Sequence, residues 1–232
     1  MPARDGANDV GAALARFGLV ATVQADGALC VAAASAAWLA QALPALGVAC
    51  AVAADGGLRI APVARPTLLA AVATALRPGA VLLDLDGVLA DIERRIALAP
   101  VAAVAALAQR VPLGVVTTCP RRLAESVLAR HGFAPFVQTV VGVEDAAPKP
   151  DPAPVRLAMR RLGAATAWMV GDNPSDVLAA RGAGVLALAI APHGLGAASH
   201  AAALREAGVA RLVPDLDVVA TLLPQPVGPV ST

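Results

Sequence analysis

The sequence predicts an α/β protein in which a doubly wound parallel sheet follows a small α+β domain. From about residue 79 onward, short runs of Val, Leu and Ile alternate regularly with helical stretches. Strands of this composition, each joined to the next by a helix, are typical of parallel sheets covered on both faces. Residues 1–78 lack this alternation. We therefore expect a small α+β domain over residues 1–78 and a parallel-sheet domain over residues 79–232, with RPGA at 77–80 as the boundary.

The small N-terminal domain is predicted from four short β runs and two helical runs. A helix is expected from about Ser35 to Leu46, and a second one in TLLAAVATAL. The β runs are GLVATVQ, ALCVAA, VACAVA and GLRIAP. No cluster of acids or bases occurs in this part of the sequence, so we expect no reactive site there.

The parallel sheet is predicted from five apolar runs, each followed by a helical run. They are AVLLDLD, LGVVTT, FVQTVVG, AWMVGD and VLALAI, and a short ARLV and a closing DLDVVATLL complete the pattern. Ligands of such sheets bind beyond the carboxyl ends of the strands. The residues directly after each β run are therefore where chemistry is expected.

Composition excludes two classes of partner. The chain has 18 basic and 17 acidic residues, 2% aromatic residues and no Tyr, so neither a basic field nor stacking platforms favour nucleic acid. The uncharged run 28–54 is long enough to span a bilayer, but it contains Gln41, Pro44 and Gly47 and fits strand, helix, strand better. The start MPARDGANDV lacks the features of a signal peptide. We expect a soluble, cytoplasmic protein without membrane contact.

The first motif, VLLDLDGVLAD, places Asp84 and Asp86 at the end of an apolar strand. Side chains two apart on a strand point to the same side, and converging carboxylates repel each other unless a cation joins them. Carboxylate and carbonyl oxygens are the ligands that Mg²⁺ prefers, and Gly87 permits a sharp turn that brings backbone amides toward an anion. The alternative is an ordinary turn. Asp215 and Asp217 form a similar pair, but they open a helical run, where such acids are common.

Two later strand ends carry groups that suit an anion. Thr117 and Thr118 follow a β run and precede a helix, an arrangement that fits either an anion site or a simple helix cap. Lys149 is the only lysine among the 18 basic residues, and prolines flank it on both sides. An accidental surface lysine is the alternative, but the loop position after a β run favours a functional role.

The last motif, VGDNPSD, places Asp172 at the tip of an apolar strand and Asp176 one helical turn later. A helix cap followed by a first-turn acid explains Asp176 equally well. For Asp172, the position at the same sheet edge as Asp84 favours metal binding.

Taken in order, DLDGV, a strand-end Thr, KPDP and VGDNPSD resemble the four motifs of the haloacid dehalogenase superfamily over residues 79 to about 224. The resemblance implies that Asp84 is the nucleophile that forms an aspartyl-phosphate, and that Asp86 is the general acid and then the general base. Thr117 and Lys149 would hold the phosphoryl oxygens. Because relatives that dehalogenate lack the second aspartate, Asp86 indicates phosphate esters.

The same resemblance implies a Mg²⁺ site. Asp84, Asp172 and the main-chain carbonyl of Asp86 would bind the ion. Asp176 would orient either Lys149 or a metal-bound water.

We therefore expect a Mg²⁺-dependent phosphatase that acts on a small phosphorylated metabolite. The alternative is a non-catalytic regulatory or binding subunit that retains the phosphate and Mg²⁺ site.

The resemblance also has a gap, because many relatives insert a helical cap between the first two motifs. Only about 25 residues separate Asp91 from Thr117 here, and one helix uses them, so we expect no cap. Cover over the site would come from the N-terminal domain, from a partner subunit of a homo-oligomer or from a bulky substrate.

The N-terminal stretch ALGVACAVAADGGLRIAPVARPTLLAAVATAL resembles the small C-terminal domain of aminotransferases of the histidinol-phosphate type. No pyridoxal-binding lysine exists there, because Lys149 is the only lysine. This resemblance implies an adaptor in amino-acid metabolism and histidinol phosphate as a candidate substrate.

Overall fold

The computed structural model describes residues 5–17, 19–32, 37–54 and 57–223. These residues form an antiparallel sheet of four strands, a parallel sheet of six strands and a two-stranded hairpin. The predicted α/β fold with a separate small sheet is confirmed.

The N-terminal part consists of short antiparallel strands and three helices. Its strands are ordered β1-β2-β4-β3, and the two central strands alternate buried and less buried positions, as strands with one covered face do. The helix predicted from about Ser35 corresponds to α2, and its predicted start at Ser35 lies outside the described residues. The elements are α1 (Asp5–Ala15), β1 (Ala21–Val23), β2 (Leu29–Val31), α2 (Ala37–Ala45), β3 (Cys50–Val52), β4 (Leu58–Ile60) and α3 (Arg65–Ala75).

The uncharged run that raised the question of a membrane span folds as β2, α2 and β3. Within the described ranges, no helix has the length and apolar character needed to cross a membrane. The predicted order of strand, helix and strand is confirmed for this run.

The parallel sheet has the order β12-β11-β10-β5-β8-β9. The chain starts in the centre with β5, moves to one edge through β8 and β9, and then returns to the other side of β5 with β10. The strands are β5 (Ala80–Leu83), β8 (Leu113–Val116), β9 (Val137–Val141), β10 (Ala167–Gly171), β11 (Leu186–Ile190) and β12 (Arg211–Val213). This reversal creates a crevice between β5 and β10, the position at which doubly wound sheets bind ligands.

Helices cover both faces of the parallel sheet, which explains why β5, β8 and β10 are apolar and buried throughout. One face packs against α6, α7 and α8, and the other against α4, α5 and α9. A 3₁₀ turn, Ala134–Phe136, precedes β9. The helices are α4 (Val101–Ala108), α5 (Arg121–Arg130), α6 (Ala153–Leu162), α7 (Pro174–Ala183), α8 (Ala197–Ala207) and α9 (Leu216–Leu222).

A small hairpin stands between β5 and α4. It consists of β6 (Ala90–Asp91) and β7 (Ile96–Ala97).

Asp215 caps α9 by accepting a hydrogen bond from Val218 N at 2.9 Å, so the second DxD pair has the ordinary capping role that the sequence indicated.

The N-terminal part contacts the parallel-sheet part near the amino ends of its strands. The rings of Phe17 and Trp168 pack edge to face, with centroids 5.3 Å apart, and Trp168 is the second residue of β10. Arg211, the first residue of β12, hydrogen-bonds the carbonyl of Arg16. Chemistry is expected at the opposite ends of these strands, and the contacts of the described N-terminal residues with the parallel sheet lie away from that region.

Replacement of Phe17 by Ala tests this junction. Phe17 is buried against Trp168, and loss of a buried aromatic ring should reduce the free energy of unfolding by about 3 kcal/mol. Urea denaturation followed by tryptophan fluorescence measures the change. Val20→Ala is the control, because Val20 is 65% exposed, and its effect should stay within about 0.5 kcal/mol. Equal effects of the two variants would show that the ring contact does not join the two parts.

Candidate active site

The centre of the site lies where β5 and β10 end side by side. Asp84 follows β5 and Asp172 follows β10, and Asp84 N donates a hydrogen bond to Val170 O at 2.9 Å. Carboxylate oxygens of Asp84, Asp172 and Asp176 all lie within 4.8 Å of one another. The structure therefore brings together three acidic groups that the sequence places up to 92 residues apart (176 − 84 = 92).

Lys149 lies between two of these acids. Its Nζ atom is 2.9 Å from Asp84 Oδ1 and 2.5 Å from Asp176 Oδ1, and it also donates to Val116 O at 2.9 Å. The side chain is buried, so these partners replace the water that the ammonium group loses. The only lysine of the chain is thus fully engaged at the acidic cluster.

The cluster carries more negative than positive charge. Burial and the nearby Asp176 raise the pKa of Asp84 to about 7, although Lys149 acts in the opposite direction. Burial and Asp176 also raise the pKa of Asp172. Burial alone would lower the pKa of Lys149, but Asp84 and Asp176 outweigh it and raise that pKa. One ammonium group therefore faces three carboxylates, and the space among them favours an added cation.

Two glycines leave room for this cluster. Gly87 has a φ of 84°, and a Cβ atom there would collide with the Asp172 carboxylate. A Cβ atom on Gly171 would collide with the Asp176 side chain. The Gly87 amide donates to Ala90 O at 2.9 Å, and the expectation that this turn brings backbone amides toward an anion stays a prediction. The turn at Gly87 admits the carboxylate of Asp172.

Asp86 lies beside the hairpin of β6 and β7. Its carboxylate is exposed, and Oδ1 accepts a hydrogen bond from Ile92 N at 2.9 Å. It lines the same cavity of about 370 Å³ as Asp84 and Lys149. Its carboxylate is not part of the three-acid cluster found among the described residues.

The two threonines after β8 differ in their surroundings. Thr117 is buried, and its Oγ1 accepts a hydrogen bond from Cys119 N at 3.1 Å. Thr118 is exposed and lines the 370 Å³ cavity with Asp84, whereas Thr117 is not among the lining residues. Of the two residues, Thr118 is therefore the one that borders the cavity.

Asp176 has both roles that the sequence left open for it. Its Oδ2 atom accepts hydrogen bonds from Asn173 N at 3.0 Å and Asp172 N at 3.3 Å, which closes a capping box at the start of α7. Its Oδ1 atom contacts Lys149. One carboxylate therefore fixes the helix start, the Asp172 loop and the ammonium group together.

The structure shows two contributions that sequence analysis missed. Asp91 and Glu93 of the hairpin line the 370 Å³ cavity, although nothing in their spacing indicated it. The sequence position of His200 indicated no role, but its Nε2 atom lies 2.6 Å from the carbonyl oxygen of Asp172. The two residues are 28 positions apart, and only the packing of α8 brings them together.

The loop that carries Lys149 is held by Asp145. This side chain accepts hydrogen bonds from Arg161 at 2.8 Å, Arg121 at 3.1 Å and Gly142 N at 2.9 Å. The hydrogen bond from Arg161 and then that from Gly142 N lower the pKa of Asp145. Arg121 therefore contributes to holding this loop.

Known proteins resemble the second part of this chain. Residues 100–190 match the family model of haloacid dehalogenase-like hydrolases. The six-stranded sheet with its helices superposes on a haloacid dehalogenase-like hydrolase of Bacteroides fragilis with a TM-score of 0.54 at 19% identity, covering 61% of this chain and 99% of that one. Residues 100–190 are thus similar in sequence to haloacid dehalogenase-like hydrolases, and the chain shares the fold of that structure. A haloacid dehalogenase-like family protein of Streptococcus pneumoniae gives a TM-score of 0.51 at 19% identity, over 63% of this chain and 98% of that one.

Curated proteins match this chain over shorter segments. Pyrophosphatase PpaX of Bacillus velezensis is 46% identical over 82 residues, which are 34% of this chain and 38% of that protein. Phosphoglycolate phosphatase of Rhodospirillum rubrum is 46% identical over 84 residues, which are 34% of this chain and 35% of that protein. The matches thus span little more than a third of these relatives.

The resemblance of the N-terminal part to aminotransferases finds no support in these comparisons. The expectation of histidinol phosphate depended on that resemblance and loses its basis. Short apolar strands and Ala-rich helices occur in many α+β domains, so this pattern was too general to identify a family.

Replacement of Asp145 by Asn tests how the Lys149 loop is held. The lowered pKa means that ionised Asp145 stabilises the fold above the pKa of an unfolded aspartate, about 3.9, and that this is lost as pH falls through the folded-state pKa. Arg121 and Arg161 are partly exposed, so we expect Asp145→Asn to cost about 1 kcal/mol at pH 7. Urea denaturation at pH 7 and pH 3 should show this deficit shrinking at the lower pH. A deficit of the same size at both values would contradict the ion-pair explanation.

Proposed function

We propose that the protein is a Mg²⁺-dependent phosphatase that hydrolyses a small-molecule phosphate monoester through an aspartyl-phosphate on Asp84. The observation that carries this proposal is the contact of Asp84 with Lys149 beside Asp172, at the carboxyl ends of two adjacent strands and open to a cavity. A carboxylate nucleophile next to a buried ammonium group suits phosphoryl transfer, which requires positioning and charge neutralisation. The name of one relative, a phosphoglycolate phosphatase, also supports a monoester, and that of another, a pyrophosphatase, supports only hydrolysis at phosphorus.

The acidic cluster fits a magnesium ion. Three carboxylates face one ammonium group, and burial together with Asp176 raises the pKa of Asp84 to about 7. A divalent cation would balance the excess of negative charge. Asp84, Asp172 and the main-chain carbonyl of Asp86 would hold the ion. When bound, it would neutralise charge on the phosphoryl oxygens and act as a Lewis acid.

Asp84 would attack the phosphorus atom. The hydrogen bond from Leu85 N to Asp84 Oδ1, 2.7 Å long, and the contact with Lys149 fix the carboxylate. Attack forms the bond from a carboxylate oxygen to phosphorus and breaks the bond from phosphorus to the ester oxygen. Asp86 would donate its proton to the leaving alkoxide and then take a proton from the water that hydrolyses the aspartyl-phosphate. The products are an alcohol, inorganic phosphate and free Asp84.

Lys149 would neutralise the phosphoryl oxygens, and Asp176 would position it. The threonine hydroxyl groups and the turn at Gly87 would complete the phosphate site, with Thr118 as the exposed contact. Asp176 also accepts a hydrogen bond from the amide of Asp172. One carboxylate would therefore position both the ammonium group and the loop after β10 that carries Asp172, which we call the metal loop.

Substitution of the nucleophile is the direct test. We expect Asp84→Asn to reduce hydrolysis of p-nitrophenyl phosphate at least about 1,000-fold, because an amide is not a nucleophile toward phosphorus. Asp217→Asn is the matched control, since Asp217 lies in the first turn of α9 and serves no part of the site. Retention of activity by Asp84→Asn would remove Asp84 from this role. A wild-type protein that binds Mg²⁺ but hydrolyses no phosphate ester would favour the non-catalytic alternative.

Removal of the metal provides an independent check. Treatment with EDTA should abolish turnover, and added Mg²⁺ should restore it, because the three carboxylates then regain their counter-charge. Asp172→Asn should raise the Mg²⁺ concentration for half-maximal activity at least about ten-fold, since one anionic ligand is lost. Titration calorimetry with Mg²⁺ measures the same change without turnover. Full activity in EDTA would show that the cluster works without a cation.

A further inference from the structure

A second, larger cavity adjoins the phosphate site. Its volume is about 800 Å³, more than twice that of the 370 Å³ cavity at Asp84. Both cavities are lined by Gly87 and Asp172, so they meet at the metal loop. A molecule with its phosphoryl group at Asp84 therefore has room to extend into the larger cavity.

The polar lining of this larger cavity is mostly basic or neutral. Its polar side chains include Arg94, His193, Ser199 and His200. Among the described residues that line it, Asp172 is the only acid, and that carboxylate belongs to the three-acid cluster. A leaving group in this cavity thus meets donors of hydrogen bonds and one permanent positive charge.

Arg94 supplies that charge. Its Nε atom is 3.6 Å from Asp91 Oδ2, and 78% of the side chain is exposed. A guanidinium group has five N–H donors, so this single contact leaves most of its donor capacity for a ligand.

His200 links the cavity to the metal loop. Its Nε2 atom contacts the carbonyl of Asp172 at 2.6 Å, and the residue also lines the larger cavity. A ligand that contacts this imidazole therefore lies next to the loop that would hold the metal.

The rest of the wall is apolar. Ile190, Pro192 and Leu195 line the cavity, and Leu195 is fully exposed at its edge. Apolar contacts of this kind suit a carbon skeleton, whereas inorganic phosphate as a leaving group would use neither this wall nor most of the volume.

We propose that the larger cavity binds the leaving group, and that the preferred substrates are phosphate monoesters of small carboxylic acids. This inference rests on the proposed phosphatase function. A carboxylate is favoured over a second phosphate group, because Arg94 is the only lining residue with a permanent positive charge, and one guanidinium group matches one carboxylate in charge and geometry.

The test uses two esters that differ only in the group of interest. 3-Phosphoglycerate and glycerol 3-phosphate share a three-carbon skeleton and a terminal phosphate, but one ends in a carboxylate and the other in a hydroxymethyl group. We expect kcat/KM of the wild-type protein to favour 3-phosphoglycerate at least about ten-fold, the effect of one charge-assisted contact. Arg94→Gln should bring the ratio of the two values close to one.

Arg95→Gln is the matched control, because Arg95 is adjacent, carries the same charge and does not line the cavity. It should leave the ratio unchanged. Equal wild-type turnover of both esters, or a ratio unaltered by Arg94→Gln, would overturn the leaving-group inference while p-nitrophenyl phosphate hydrolysis still upheld the phosphatase. Absence of turnover with all three compounds would overturn both proposals.

Discussion

The site depends on the repulsion among three carboxylates that the fold forces into one small, partly buried space. Carboxylate oxygens of Asp84, Asp172 and Asp176 lie within 4.8 Å of one another, and the Lys149 ammonium group contacts two of the three acids. Carboxylates in such a place either take up protons or bind cations, and burial together with the nearby Asp176 raises the pKa of Asp84 to about 7. A cation and a phosphoryl group together would relieve the repulsion, which is why we interpret the cluster as a site for phosphate chemistry.

The fold tolerates this repulsion because the surrounding backbone is rigid. β5 and β10 are buried on both faces and hydrogen-bonded side by side, so the positions of Asp84 and Asp172 are set by the ladder between them. Gly87 and Gly171 remove the Cβ atoms that would otherwise collide with the acids. Asp176 then ties the start of α7 to Lys149. Each of these constraints limits the ways in which the acids could separate.

The arrangement of the two parts of the chain leaves the site open. The N-terminal part packs at the amino ends of the parallel strands, and the cavities at the carboxyl ends are lined by residues between 84 and 200. Between β5 and α4 the chain forms only the short hairpin of β6 and β7. In the proposed phosphatase, selectivity among substrates would come from the hairpin and from the residues before and within α8, where Arg94 and His200 border the larger cavity. The limited size of the cavities and the charge of Arg94 favour a small, charged substrate.

The sequence by itself determined the parallel sheet, the strand ends that carry Asp84 and Asp172, and the single lysine, because continuous apolar runs require burial and polar residues after them must lie at a sheet edge. Tertiary structure decided the contact of His200 with Asp172, the anchoring of the Lys149 loop by Asp145, and the exposure of Thr118 rather than Thr117. These contacts join loops and helices that are distant in the chain. They depend on how each helix crosses the sheet, and the local pattern of residues does not specify that crossing.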